Sequence, residues 1–134
     1  MATAGYSGTP LPRKLGIKPG MNVGLLGAPS DFERTLGPVP DGVTLRRRAQ
    51  GSLDIAILFV RRGKDLEARF PAADKALAPG GKLWIAWPKQ GSPLAGDINR
   101  DDVRAFGLAR KWVDFKVCAV DEIWSGLCFS RVKK

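Results

Sequence analysis

The chain has 134 residues, 44% of them hydrophobic and 26% charged, which suits one globular domain with a true core and leaves no room for two. It carries 22 Lys and Arg against 13 Asp and Glu, a formal charge of +9, and no histidine. The missing imidazole excludes Ser-His-Asp and Cys-His catalysis and removes the commonest metal ligand, while the basic excess favours anionic partners, nucleic acid among them.

Residues 1–20, rich in proline and glycine, read as an irregular arm packed on a single domain formed by 21–134. One short turn of helix fits within "LPRKLGIKPG" before Pro19-Gly20, and Leu11, Leu15 and Ile17 require cover. No apolar leader stands out at the amino end, and the longest apolar run, Ile55 to Val60, is too short to span a bilayer. A cytoplasmic protein with no membrane partner is expected.

Met21 to Leu26 predicts a buried strand closed by Gly27, with Ser30 or Asp31 as the cap of a short helix that ends at Gly37-Pro38. "GVTLRRR" reads as a second short strand. "SLDIAILFV" is apolar on both faces, as a central parallel strand is. "KDLEARFPAADKALAPGG" is helical on both sides of Pro71, with Leu66, Phe70, Ala73 and Leu77 at helical spacing and Gly80-Gly81 as terminator. "KLWIAWP" predicts another strand, with Trp84 and Trp87 on opposite faces.

After the polar loop "KQGSPLAGD", "NRDDVRAFGLARKW" predicts a helix with Val103, Phe106, Leu108 and Ala109 turned inward. "DFKVCAV" and "GLCFSRV" flank a turn at "DEIWS" and read as an antiparallel hairpin on which Cys118 and Cys128 can face each other. A reduced pair is the expected state, and two thiols without histidine do not suggest zinc. The element order implies an α/β fold: a Rossmann-like doubly wound sheet, mainly parallel, with a C-terminal antiparallel hairpin.

Three passages resemble the class I S-adenosylmethionine-dependent methyltransferases. "NVGLLGAP" sits where that family keeps its glycine-rich cofactor loop. "LDIAILFV" is similar to its central strand, which typically starts with an aspartate, here Asp54. "ALAPGGKLWIAWP" resembles the helix–Pro-Gly-Gly–strand passage before its fifth strand. The opening "GYSGTPL" also resembles a group of small bacterial proteins without an assigned activity. The resemblance implies an abbreviated methyltransferase-like fold with S-adenosylmethionine as the possible cofactor.

Four departures bear on activity. The first loop has only Gly24 and Gly27 and is stiffened by Pro29. Arg46, Arg47 and Arg48 stand where the family commonly places an acid that holds the ribose hydroxyls. The helix and strand usually found next are missing, and "FVRRG" replaces an amine-binding motif after the central strand. The framework reads as kept and methyl transfer as lost.

Ligands of open α/β sheets sit beyond the carboxyl ends of the strands. That rule collects Gly24, Gly27, Pro29 and Ser30 from the first turn, Arg46 from the second strand and Arg61 from the central one. It adds Trp87, Lys89, Asp121 and Trp124 from the later elements. The set suits an anionic small molecule or a protein partner, with a phosphate or carboxylate near Ser30 and an indole stacked on a base. Each also has a plain structural reading: Gly27 as a tight corner, the arginines as a solvated run, Trp124 as a lid on the core or an exposed anchor. The adjacent acids Asp121 and Glu122 point apart and do not form a carboxylate pair. Ser7 and Thr9 have no activating base in view. Two further readings remain open: an active methyltransferase aided by Asp54 or Asp121, and a nucleic-acid-binding module using Arg46 to Arg48, Arg61, Arg62, Lys64 and the tail "RVKK".

Overall fold

The structure, a computed structural model, describes residues 9–132. Ser7, most of "GYSGTPL" and the last two lysines of "RVKK" lie outside the described residues. Helix α1 (Leu11–Lys14) is followed by β1 (Asn22–Leu26), α2 (Phe32–Leu36), β2 (Thr44–Arg46) and β3 (Leu53–Phe59). Then come α3 (Gly63–Ala76), β4 (Leu77–Pro88), α4 (Arg100–Ala109), β5 (Trp112–Ala119) and β6 (Trp124–Arg131).

The six strands lie in the order β2-β1-β3-β4-β6-β5. Pairings β1–β2, β1–β3 and β3–β4 are parallel, whereas β6 runs antiparallel to both β4 and β5. This is the expected mainly parallel doubly wound sheet with its terminal hairpin. Central β3 is apolar on both faces because both are covered. On one face Leu66, Phe70 and Ala73 of α3 and Val103 of α4 pack against Leu58, Ile85, Trp87 and Phe129. On the other, Leu15 and Ile17 of the arm and Phe32 and Leu36 of α2 pack against Ile57, Phe59, Trp84 and Trp124. Trp84 and Trp87 thus serve opposite cores, as strand alternation requires.

Two expectations need correcting. The helix over "KDLEARFPAADKALAPGG" passes through Pro71 and stops at Ala76, before the glycines. Leu77 instead pairs with Leu53, and the next register pair is Ile55 with Lys82, so Ala78-Pro79-Gly80-Gly81 bulges out of the ladder. Gly80 has φ +80°, and a Cβ on Gly81 would lie 2.9 Å from the Ala78 carbonyl oxygen and 3.0 Å from that of Leu53. The glycines fit a strand-start bulge, which periodicity cannot separate from a helix stop.

Helix α4 buries Val103 and Gly107 while Leu108 is exposed. Gly107 lies against the Phe129 ring, leaving no room for a Cβ there. That contact fixes the buried row at i and i+4 and turns Leu108 and Ala109 outward. The helix opens with a reciprocal capping box between Asn99 and Asp102.

The two thiols lie on one sheet face, offset diagonally: Lys116 is opposite Cys128 and Gly126 is opposite Cys118. Both are free. Burial pushes the Cys128 thiol up to about 12 and raises Cys118 as well. Thiol-specific labelling of the native protein at pH 8 is expected to leave Cys128 unmodified, with full reaction on unfolding. The same shift sets a pH trend. Below about 9 both states hold the Cys128 proton; above it the unfolded chain releases the proton first, so this contribution to stability is lost as pH rises from about 9 to about 12.

Candidate functional site

The carboxyl ends of β1, β3 and β4 are adjacent because these strands are parallel and in register, Leu26 beside Leu58 and Phe59 beside Ala86. Gly27 turns the chain at φ +73°. A Cβ on Gly27 would lie 2.6 Å from Nη1 of Arg69 and 3.0 Å from the Phe59 carbonyl oxygen. Arg69, on α3, donates from Nη1 to that carbonyl at 3.3 Å. The open flank of the glycine turn is therefore filled by a guanidinium of the same chain.

A second arginine closes the loop from the other side. Arg47 donates to the carbonyl oxygens of Ala28 (3.1 Å), Pro29 (2.9 Å) and Ser30 (3.4 Å). It also forms a two-point pair with Glu33 of α2, at 2.6 and 3.1 Å. The hydrogen bond from Arg47 holds the Glu33 carboxyl below its usual range. The pair is solvent-exposed, so its role is to fix geometry more than to add stability. Arg46 and Arg48, on either side, are exposed.

The remaining predicted residues divide between structural ties and core. Gly24 lies within β1, in register with Arg46 and Ala56 and covered by Leu53, three residues short of the turn. Arg61 donates from Nε to the Leu94 carbonyl at 3.2 Å, and Gly96 lies directly against the Arg61 carbonyl, so the 89–98 loop folds over the end of β3. Asp97 completes this loop by accepting from the Gly63 amide at the start of α3. Lys89 bonds the Asp121 carbonyl through Nζ at 2.8 Å. The Asp121 carboxylate accepts the amides of Ile123 and Trp124 at 2.8 and 2.7 Å, forming the hairpin turn.

Trp87 and Trp124 are both buried. Trp124 is the lid on the core, edge-on to Phe59 with centroids 5.1 Å apart. Asp54 lies at the amino end of β3, bonded to the Asn22 amide at 2.8 Å. It is therefore at the far end of the sheet from Gly27.

This strand-end surface offers guanidinium donors from Arg46, Arg48 and Arg61, with Asp31 and Glu122 as its exposed acids. Glu33 is paired and Asp121 caps a turn. Such a set can hold an anion through charge-assisted hydrogen bonds. Among the described residues no three His, Cys, Asp or Glu side chains come together as a metal site. No helix among them is long and apolar enough to cross a membrane.

Sequence reasoning missed Arg69 and the special position of Arg47. The only available signal for Arg69 was its place on α3 beside the buried row of Leu66 and Phe70. Arg47 was one of three like residues, with nothing local to single it out.

No protein-family model matches the chain, and no curated protein sequence matches it. Solved structures do. A proposed type 11 methyltransferase from Sulfolobus solfataricus superposes with a TM-score of 0.65 at 15% identity, covering 92% of this chain and 90% of that one. The N-methyltransferase NodS from Bradyrhizobium japonicum WM9 gives 0.58 at 14%, covering 92% and 93%. The magnesium protoporphyrin IX methyltransferase ChlM from Synechocystis PCC 6803, with bound SAH, gives 0.53 at 11%, covering 84% and 75%. At these identities the likeness shows the fold: a six-stranded methyltransferase-like Rossmann sheet.

Proposed function

We propose that this chain is a methyltransferase-fold domain that binds an anionic ligand at the carboxyl ends of its strands and does not transfer methyl groups. The arm, with Leu15 and Ile17 buried in the core, belongs to that single domain. The observation that carries the reading is the Arg69 guanidinium against Gly27, together with Arg47 over the carbonyls of the same loop. In the resembling family that turn approaches the cofactor and an acid after the second strand holds its ribose. Here the turn is occupied and the acid is replaced by arginine, so these residues do not fit S-adenosylmethionine.

Arg46, Arg48 and Arg61 retain donors for a phosphate or carboxylate on a small molecule or a protein segment. Calorimetric titration with S-adenosylmethionine to millimolar concentration is expected to show no saturable heat. Pyrophosphate is expected to shift the backbone amide signals of residues 27–30 and 46–48 in NMR spectra. Saturable S-adenosylmethionine binding would overturn the reading in favour of an abbreviated, active methyltransferase. The observation on that side is the SAH held by ChlM on the same fold.

A further inference from the structure

A cavity of about 360 Å³ opens at the opposite end of the sheet, where the parallel strands begin. Its walls come from four separate parts of the chain: the arm after α1, the start of β3, the 78–81 bulge of β4 and the β5–β6 hairpin. The volume falls in the range of small-molecule sites, roughly 300–1,000 Å³. The buried side chains of Leu15, Ile55 and Trp84 form an apolar floor, and Met21 and Pro79 add accessible apolar lining. Phe115, more than half exposed, contributes an apolar wall. It is the extra residue of a bulge, since Asp114 pairs with Phe129 and Lys116 with Cys128. The bulge sets Phe115 and Lys116 together on the cavity wall.

The polar lining is lopsided. Three lysines, Lys18, Lys82 and Lys116, are among its lining residues, against one acid, Asp54, whose carboxylate is already bonded to the Asn22 amide. Lys82 spends one donor on the Gly80 carbonyl and Lys116 one on the Lys14 carbonyl. An ammonium has three donors, so both keep capacity for a ligand. An apolar floor beneath a cationic lining selects a molecule with an apolar body and an anionic head.

We propose that this cavity is a binding site for a small amphipathic acid, a carboxylate with an aliphatic or aromatic body, distinct from the arginine surface at the other end of the sheet. The apolar body lies against Met21, Pro79 and Phe115, above the buried Trp84 and Ile55, and the head faces Lys18, Lys82 and Lys116. This site does not depend on the anion reading of the strand ends.

The test is titration of the isotope-labelled full chain with decanoate, followed through backbone amide signals, with decylamine and decanol as matched controls. Decanoate is expected to shift residues 16, 80–82 and 116 saturably and to bind at least tenfold tighter than decylamine. Lys18→Glu and Lys82→Glu, both substitutions in the cavity lining, are each expected to weaken it at least fivefold while the remaining spectrum stays native. Absence of saturation, equal binding of decylamine, or undiminished binding by both folded variants would overturn the site. So would shifts confined to residues 27–30 and 46–48, which would instead assign the acid to the strand-end arginines.

Discussion

Replacing Trp84 with alanine is expected to lower the free energy of unfolding by about 3–5 kcal/mol, the usual cost of truncating a buried tryptophan. Against the roughly 5–15 kcal/mol that holds a domain of this size together, that loss is at least about a fifth of the total. The side chain is 1% exposed at the centre of β4. Its indole Nε1 donates to the Leu15 carbonyl at 3.0 Å, a buried bond that ties the arm to the sheet. Gly126 is matched to it, since a Cβ there would lie 3.1 Å from the indole Cε3. Trp84→Phe separates the two contributions. It keeps most of the apolar surface but leaves the Leu15 carbonyl without its donor, and is expected to cost about 1–3 kcal/mol. Urea denaturation of both variants measures the difference. A loss below about 1 kcal/mol for the alanine variant would show that the arm and the second core are not coupled through this residue.

The sheet was legible because its information is local. "LDIAILFV" and "KLWIAWP" are apolar runs bounded by turn residues, and a two-residue period settles which tryptophan serves which face. The C-terminal hairpin followed from its short connection. Pro79-Gly80-Gly81 misled because a helix stop and a strand bulge ask the same thing of a glycine, a positive φ or a close backbone approach. The site was legible only in position. That Gly27, Arg61 and Lys89 would gather at one sheet edge follows from parallel strands. That Arg47 would turn onto the loop carbonyls while Arg46 and Arg48 stay exposed depends on tertiary acceptors with no sequence signature. The lysine-lined cavity was illegible for a similar reason. Lys18, Lys82 and Lys116 come from distant segments, and a β-bulge helps bring the last of them into place.

Phe59→Ala is expected to cost about 3–5 kcal/mol and, unlike Trp84→Ala, to loosen the strand-end surface itself. The ring is 1% exposed at the last position of β3. It meets Phe32 of α2 at 4.9 Å and Trp124 of β6 at 5.1 Å, both edge-on. Such aromatic contacts add about 0.5–1.5 kcal/mol beyond burial, so Phe59 links α2 to the hairpin through the central strand. Because α2 also carries Glu33, the partner of Arg47, a displaced Phe32 moves one end of the clamp on residues 28–30. Phe59→Leu retains an apolar filling and loses the ring contacts, so it is expected to be less destabilised but to share the loop effect. Hydrogen exchange checks this: amides of residues 27–37 are expected to exchange faster in the leucine variant, with those of β4 unchanged. A double-mutant cycle with Trp124→Leu should return a coupling of about 0.5–3 kcal/mol, as for residues in direct contact. Additive losses with unchanged loop exchange would mean that the ring only fills volume. The loop after β1 would then owe its shape to the two arginines alone.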